Sequence, residues 1–234
     1  MASPRFPPLS AGDLVLSDFD GTIARVDVGV EVITRLDLTE AWDLEFLWRR
    51  GEIGSRECLA AQWALVRLSA GELEALLASM PLDHAFPDFA RACRRRGAAL
   101  AVLSDGLDLY AYPALRRLGL EPCPGTVPLP PSDAGLPVFI NHGEWTPQGV
   151  RVTYPYPASE CGRCGNCKTH HLLALKPRYR RIIYVGDGHS DDCPVHHADV
   201  IFAREYLAEF CRAEGLPYLP FDDFRDVREA LDGP

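Results

Sequence analysis

Short apolar runs alternate with longer stretches of helical periodicity along most of the chain. Three of these runs end abruptly in polar residues: DLVLSDFDG (13–21), AALAVLSDG (98–106) and RRIIYVGDG (180–188). A fourth run, DVIFA, occupies 199–203. Runs this short and this continuously apolar predict strands that are buried on both faces of a parallel sheet.

The segments between these strands have helical patterns. One long helical region is predicted from about 28 to 96, with breaks at RRGEIGS and around Met80-Pro81. Within it, Ser69 and Glu72 have the spacing of a capping box, which predicts that a helix begins there. Shorter helices are predicted at 107–118, 169–175 and 205–214. The Pro- and Gly-rich stretch at 121–157 contains VFINHGEW and GVRVTY, which are predicted to pair as a β-hairpin.

This alternation predicts an α/β fold, a Rossmann-like and mostly parallel sheet flanked by helices. The helical region after the first strand would be an insertion. We therefore predict a core of residues 1–26 and 86–234 and a helical cap of residues 27–85, with the hairpin inserted before Lys168. In such sheets the binding site lies beyond the carboxyl ends of the strands.

Composition limits the class of protein. Of 234 residues, 47% are hydrophobic and 24% charged, which suits a protein with a substantial core. No apolar run approaches the ~20 residues that a bilayer requires, and MASPRFPPLSAGD lacks a signal-peptide pattern, so a cytoplasmic location is expected. The net charge of -9 argues against nucleic acid as a partner. We expect a monomer or homodimer.

The three polar strand ends bring a distinctive set of side chains to one rim. Asp18 and Asp20 follow the first strand and Asp187 follows the third, an all-oxygen set that suits Mg²⁺. Ser104 ends the second strand, and Lys168 begins a predicted helix whose N-terminus favours anions. Carboxylates for a metal, with hydroxyl, ammonium and amide donors for an anion, predict a phosphomonoester substrate.

These residues resemble a known family. DFDGT, then Ser104 in VLSDG, then Lys168, then GDGHSD match in order the four motifs of the haloacid dehalogenase-like hydrolases. The helical insertion resembles the C1-type cap of their phosphoserine-phosphatase subclass. The resemblance implies that Asp18 is the nucleophile that becomes an aspartyl-phosphate, and that Asp20 is the general acid and base. Because Asp20 is present, hydrolysis is favoured.

The resemblance also assigns the groups around these two acids. It implies that Mg²⁺ is held by Asp18, the backbone carbonyl of Asp20, and Asp187. It implies that Asp191 orients the groups around the metal or the phosphate-binding lysine. Asp192 is a second candidate for this role, and the alternative is that it is a surface acid or a helix cap.

The phosphate-binding residues implied are Ser104 and the segment that it begins, with Asp105 and Gly106, together with Lys168. The side chain of Asp105 is expected to face away from the phosphate.

A closer resemblance covers most of the core. LSDGLDLYAYPAL, CGRCGNCK and the segment from 199 to about 228 are similar to the 2-hydroxy-3-keto-5-methylthiopentenyl-1-phosphate phosphatases of methionine salvage. This implies an enol phosphate as first substrate. The alternative is a phosphatase for phosphoserine, phosphocholine or phosphoethanolamine, or a phosphotransferase with the same residues. Ser190 stands where phosphoserine phosphatases typically have Asn, which makes phosphoserine a weaker candidate.

The cap should select the substrate. A thioether leaving group would favour aromatic or aliphatic side chains around it, whereas an amino acid or choline would require charged ones. The predicted cap contains both kinds, so its composition does not identify the leaving group. The candidates are Asp27, Glu31, Arg35, Trp42, Trp48, Trp63 and Arg67. A cap-core role is the alternative for each aromatic residue. His189, in the fourth motif, is a further candidate for substrate contact.

Eight cysteines without a signal peptide do not indicate a disulfide scaffold. Five are scattered and are predicted to be small buried hydrophobes: Cys58, Cys93, Cys123, Cys193 and Cys211. Cys161, Cys164 and Cys167 have spacing that would fit structural zinc, with a fourth ligand from Cys123, Cys193 or His142. The alternative is a Gly-rich loop that positions Lys168. A third reading, from a different class, is a metal-binding or redox module that uses this cluster.

Overall fold

The computed structural model describes residues 6–156, 160 and 162–232. Within these residues eight strands form one sheet: β1 Asp13–Ser17, β2 Ala99–Leu107, β3 Pro122–Pro124, β4 Leu136–Thr146, β5 Gly149–Thr153, β6 Arg181–Gly186, β7 Val200–Ala203 and β8 Leu219–Pro220. Nine α-helices accompany them: α1 Val28–Arg35, α2 Thr39–Arg49, α3 Ser55–Ala64, α4 Ala70–Ala78, α5 Phe86–Arg95, α6 Asp108–Arg117, α7 Lys168–Leu175, α8 Glu205–Ala213 and α9 Phe224–Asp232.

The sheet is parallel along its whole main path. Its strand order is β3-β4-β2-β1-β6-β7-β8, and β5 pairs only with β4. The central strand β1 is hydrogen-bonded to β2 on one side and to β6 on the other, both in parallel register. The three motif-bearing strands are therefore neighbours, and their carboxyl ends lie at one edge, as the sequence predicts.

Both faces of the sheet are covered, which explains why these strands have no polar face. In β1, Val15 packs into the hydrophobic cluster on one face, while Leu14 and Leu16 pack into the cluster on the other. Strand β6 repeats the pattern, with Ile183 on the first face and Ile182 on the second. Successive side chains of each strand thus alternate between the two faces of the sheet, but both faces are apolar.

Five helices, α1 to α5, lie between β1 and β2, and the first four of them fall within residues 27–85, where the sequence predicts the cap. The capping box at Ser69 and Glu72 forms as predicted and begins α4 at the next residue. Helix α3 packs against α2 and against β5, so the hairpin supports these helices from the other side. The division into a cap at 27–85 and a core stays a prediction.

The predicted hairpin is confirmed, with one addition. Residues of β4 from His142 onward pair with β5 in antiparallel register. The first half of β4 instead joins the main sheet, in parallel with β2 and β3. The sequence does not predict that β4 joins the main sheet. It also does not predict the strands β3 and β8 or the helix α9, because very short strands and a polar C-terminal helix have weak periodicity.

Candidate active site

Lys168 lies at the centre of the motif residues. Its Nζ is 2.7 Å from Asp18 Oδ2, 2.7 Å from Asp191 Oδ1 and 2.8 Å from Ser190 Oγ. The lysine begins α7, and its side chain is 1% exposed. Burial by itself would lower the pKa of Lys168, but the charges of Asp18 and Asp191 outweigh it and raise this pKa, so the ammonium stays charged.

Three carboxylates form a buried cluster around this lysine. One ligand atom from each of Asp18, Asp187 and Asp191 lies within 4.8 Å of the others. Burial, followed by the charge of Asp191, raises the pKa of Asp18 well above its usual range and that of Asp187 to about 7. Lys168 bonds to Asp18 and Asp191, and Arg204 adds positive charge near Asp187, yet the pKa values of Asp18 and Asp187 stay raised; a divalent cation among these oxygens would stabilise the deprotonated carboxylates.

The backbone around this cluster has no room for larger residues. Gly21 has φ +67°, and a Cβ there would lie 2.0 Å from Asp187 Oδ2. A Cβ at Gly186 would lie 2.4 Å from Asp191 Oδ2, an oxygen that accepts the backbone N–H groups of Asp187 and Gly188. The glycines in DFDGT and VGDG are thus required for the acids to approach one another.

Asp20 is held beside the cluster by donors from three elements. Its Oδ1 accepts the Val28 N–H at 3.1 Å, and its Oδ2 accepts the hydroxyls of Tyr110 at 3.0 Å and Ser104 at 3.3 Å. Burial, and then the negative charge of Asp27, raise the pKa of Asp20 to about 7. A carboxyl group with a pKa near neutrality is suited to both giving and taking a proton.

The Asp105 carboxylate is held by donors from three other segments, and its expected orientation away from a phosphate stays a prediction. Its Oδ1 accepts the Asn166 N–H at 2.6 Å and the Asn141 Nδ2 at 3.0 Å, and its Oδ2 accepts the hydroxyl of Ser55. Ser55 is the first residue of α3. The Asp105 carboxylate therefore joins the end of β2 to α3 and to the loop that precedes Lys168.

That loop is anchored to the second motif by a buried amide. Asn166 Nδ2 donates to the Ser104 carbonyl at 2.9 Å, so its Oδ1 is left to accept from His171 Nε2 at 2.5 Å. Burial lowers the pKa of His171 to about 3, which keeps the imidazole neutral. His171 is buried, and its contact with Asn166 fixes the loop next to Lys168.

The same loop also contacts the segment between α2 and α3. Arg163 Nη2 donates to the carbonyls of Gly51 at 2.6 Å and Ile53 at 3.0 Å, and the Arg163 carbonyl accepts the Arg56 N–H at 3.1 Å. A Cβ at Gly54 would lie 2.4 Å from the Arg163 oxygen. One loop thus holds residues 51–56, Asp105 and Lys168 in a fixed relation.

Two cavities meet at this point. The smaller, of about 100 Å³, is lined by Asp18 and Asp20, and the larger, of about 810 Å³, is lined by Lys168. Four residues line both cavities: Trp48, Ser55, Asp105 and Ser190. Of the cap residues singled out in the sequence, Asp27 and Trp48 line the smaller cavity. Trp63 instead stacks on Tyr110 at 5.7 Å, a packing role.

Other predicted residues lie farther out. Asp192 accepts the Tyr206 hydroxyl at 3.1 Å and lines only the larger cavity. His189 packs between the rings of Tyr206 at 3.5 Å and Trp48 at 5.9 Å and also lines that cavity. Sequence reasoning missed Tyr110 and Ser55, because nothing local marks a tyrosine or serine as a partner of a distant acid. Asn166, two residues before Lys168, was recognisable as part of CGNCK.

The cysteine predictions have mixed outcomes. Cys58, Cys93 and Cys211 are buried as predicted, but Cys193 is exposed and Cys123 only partly buried, because they lie outside the packed helix faces. Cys161 falls outside the described residues. Among the residues that are described, the acid cluster is the one group of three side chains with metal-ligand spacing, so a zinc site receives no support.

A sequence model of the haloacid dehalogenase-like hydrolases matches residues 15–193. The chain belongs to this family. The four motifs that predicted the family lie around Lys168 and Asp18, and the fold is the one the family resemblance implied. In the part of the chain that the structure describes, no helix has both the length and the apolar character needed to cross a membrane.

Named relatives and solved structures agree with this family. The chain is 28% identical over 222 residues to the 2-hydroxy-3-keto-5-methylthiopentenyl-1-phosphate phosphatase of Geobacillus kaustophilus, covering 93% of this chain and 94% of that one. It is 27% identical to the enzyme of the same name from an Exiguobacterium strain, covering 94% and 97%. A phospho-aspartyl intermediate analogue of phosphoserine phosphatase superposes with a TM-score of 0.67 at 17% identity, covering 94% and 99%, which shows a shared fold.

Proposed function

We propose that the chain is a Mg²⁺-dependent phosphatase that hydrolyses a small phosphomonoester through a phosphorylated Asp18. The observation that carries this proposal is the contact of Asp18 with the buried ammonium of Lys168, with the acid Asp20 held two residues away. The family is one of hydrolases, and the relatives compared above are named phosphatases. These findings support the prediction of a phosphoric monoester hydrolase.

The first half of the reaction transfers the phosphoryl group to the protein. A carboxylate oxygen of Asp18 attacks phosphorus, the P–O bond to the leaving group breaks, and Asp20 gives its proton to the departing oxygen. In the second half Asp20 takes a proton from water, the water oxygen attacks phosphorus, and the bond to Asp18 breaks to release phosphate. A pKa of about 7 lets Asp20 perform both steps near neutral pH.

Two groups would stabilise the charge that moves onto the phosphoryl oxygens. Lys168 supplies a fixed positive charge, and Ser104 supplies a hydroxyl. The backbone carbonyl of Ser104 accepts a hydrogen bond from Asn166, which holds this residue in place. Lys168 is held in place by Asp18, Asp191 and Ser190, whereas the Ser104 hydroxyl, which donates to Asp20, would rotate toward the phosphoryl oxygens.

The residues present fit a divalent cation. Asp18 and Asp187, with the Asp20 carbonyl, would hold Mg²⁺, and Asp191 would either complete this set or orient Lys168. A bound Mg²⁺ would supply positive charge that lets an anionic nucleophile approach an anionic phosphate.

The first substrate candidate is 2-hydroxy-3-keto-5-methylthiopentenyl-1-phosphate, since both relatives compared carry this name. Acidic side chains from the cap region, Asp27 and Glu45, line the smaller cavity, and none of its described lining residues is basic. A leaving group with a carboxylate, such as serine, would be repelled there. The same acids favour phosphocholine or phosphoethanolamine, which therefore form the second candidate group.

A phosphate-release panel tests the function. We expect p-nitrophenyl phosphate and the preferred metabolite to be hydrolysed with Mg²⁺ and not with EDTA, and Asp18→Asn to remove the activity. Exposed Asp133→Asn serves as a matched acid-to-amide control. Activity retained in Asp18→Asn would refute the nucleophile assignment. Phosphate transferred to an added alcohol would identify a phosphotransferase, and a chain inert toward all esters would leave the metal-binding or redox alternative.

A further inference from the structure

Tyr110 is a buried tyrosine whose hydroxyl is used inside the active site. It lies in the first turns of α6, directly after the second motif, and is 2% exposed. Its hydroxyl donates to Asp20 Oδ2 at 3.0 Å. A phenol has an ordinary pKa of about 10, so at neutral pH the Tyr110 hydroxyl is protonated and acts as a donor to Asp20.

The packing leaves this ring little freedom. Trp63 of α3 stacks on it at 5.7 Å with an angle of 20° between the rings, and Phe19, between the two catalytic acids, lies 6.1 Å away. On the hydroxyl side, a Cβ at Gly106 would lie 1.8 Å from the Tyr110 oxygen and 2.6 Å from Asp20 Oδ2. The phenol and the carboxylate therefore meet over a backbone position that only glycine leaves open.

This arrangement makes the two oxygens of Asp20 different. Oδ2 accepts from Tyr110 and, until a bound phosphoryl group takes the Ser104 hydroxyl, from Ser104 as well, so it keeps a hydroxyl donor throughout the reaction. Oδ1 accepts only the Val28 N–H among the contacts described. A proton that Asp20 is to give away would accordingly reside on Oδ1.

We propose that Tyr110 is a positioning residue that holds Asp20 Oδ2 as an acceptor, so that Oδ1 delivers its proton to the leaving-group oxygen. In that step the P–O ester bond breaks, the proton moves from Oδ1 to the departing oxygen, and Asp20 is left as a carboxylate. The proposal rests on the proposed function and adds a residue outside the four motifs to it.

The test compares two esters of similar shape that differ in their need for an acid. Phenol has a pKa of about 10, like tyrosine, and leaves poorly as an anion; p-nitrophenol is more acidic and leaves without help. The values of kcat/KM, which report the first phosphoryl transfer, are measured for phenyl phosphate and p-nitrophenyl phosphate in wild type and Tyr110→Phe. The phenylalanine ring keeps the stack on Trp63, and Tyr112→Phe, on the same helix, is the matched control.

Since general acid catalysis is worth about 10² to 10⁴, loss of positioning should lower kcat/KM for phenyl phosphate about tenfold. The value for p-nitrophenyl phosphate should change less than about twofold, and Tyr112→Phe should alter neither. An equal loss on both esters, or a loss on neither, would overturn the proposal while leaving the proposed function intact. A wild-type protein that hydrolyses neither ester would overturn the two together.

Discussion

Removing the proposed divalent cation should lower the free energy of unfolding, because the buried acids then lack a counter-charge. This loss of stability should increase with pH. In the metal-free protein, burial followed by the charge of Asp191 raises the pKa of Asp187 from 3.8 to about 7. A carboxyl group with a raised folded-state pKa stabilises the fold at low pH, and this stability is lost as the pH rises through about 7. Mg²⁺ binds the deprotonated group, so its stabilising effect should increase over the same range.

The size of the effect follows from competition between the proton and the metal. With a pKa of about 7, the group is protonated about 99% of the time near pH 5, which weakens Mg²⁺ binding roughly 100-fold relative to pH 8. A 100-fold change in affinity is worth about 2.7 kcal/mol of stability at a fixed metal concentration. For a protein of this size that corresponds to roughly 5–10 °C in Tm.

The assay is the difference in Tm with Mg²⁺ and with EDTA, measured between about pH 5 and pH 8. Taking a difference removes groups that do not contact the metal, such as His171, whose lowered pKa of about 3 destabilises the fold on acidification with or without metal. Asp187→Asn is the matched variant: it keeps an acceptor for the Thr22 hydroxyl but cannot titrate. The difference should be smaller and flatter in this variant. A difference that is as large near pH 5 as near pH 8 in wild type would refute the reasoning.

Two further substitutions test the loop and its lysine. Lys168→Met should reduce kcat by a factor of about 100 or more, measured by steady-state kinetics. It should also lower the free energy of unfolding of the metal-free protein by about 3 kcal/mol, because it leaves buried carboxylates unpaired. Urea titrations measure this second effect, and unchanged stability would contradict the charge argument. Arg163→Ala should free residues 51–56, which increases hydrogen exchange there and lowers kcat/KM about fivefold. The exposed control Arg178→Ala should change neither quantity. A loss of activity without faster exchange would argue against a role of this segment in activity.

The sequence by itself determined the topology of the site, for reasons that are local. A run such as LVLS is too apolar for anything but a strand with both faces covered, and DFDGT follows it directly, so the acids had to lie at a strand end. The same reasoning placed Ser104 and Asp187 at the same rim, and the strands that lead to them, β2 and β6, lie on either side of β1 in parallel register.

The contacts that adjust this chemistry were decided only by the tertiary structure. Tyr110 and Asp20 are separated by 90 residues, and Ser55 and Asp105 by 50, so no pattern in the chain links either pair. Elevated pKa values near 7 arise from burial and from neighbouring charges, both of which exist only once the elements have packed. Residue identity fixes which groups can react, whereas distance and exclusion of water, which are properties of the folded chain, decide how strongly they act on one another.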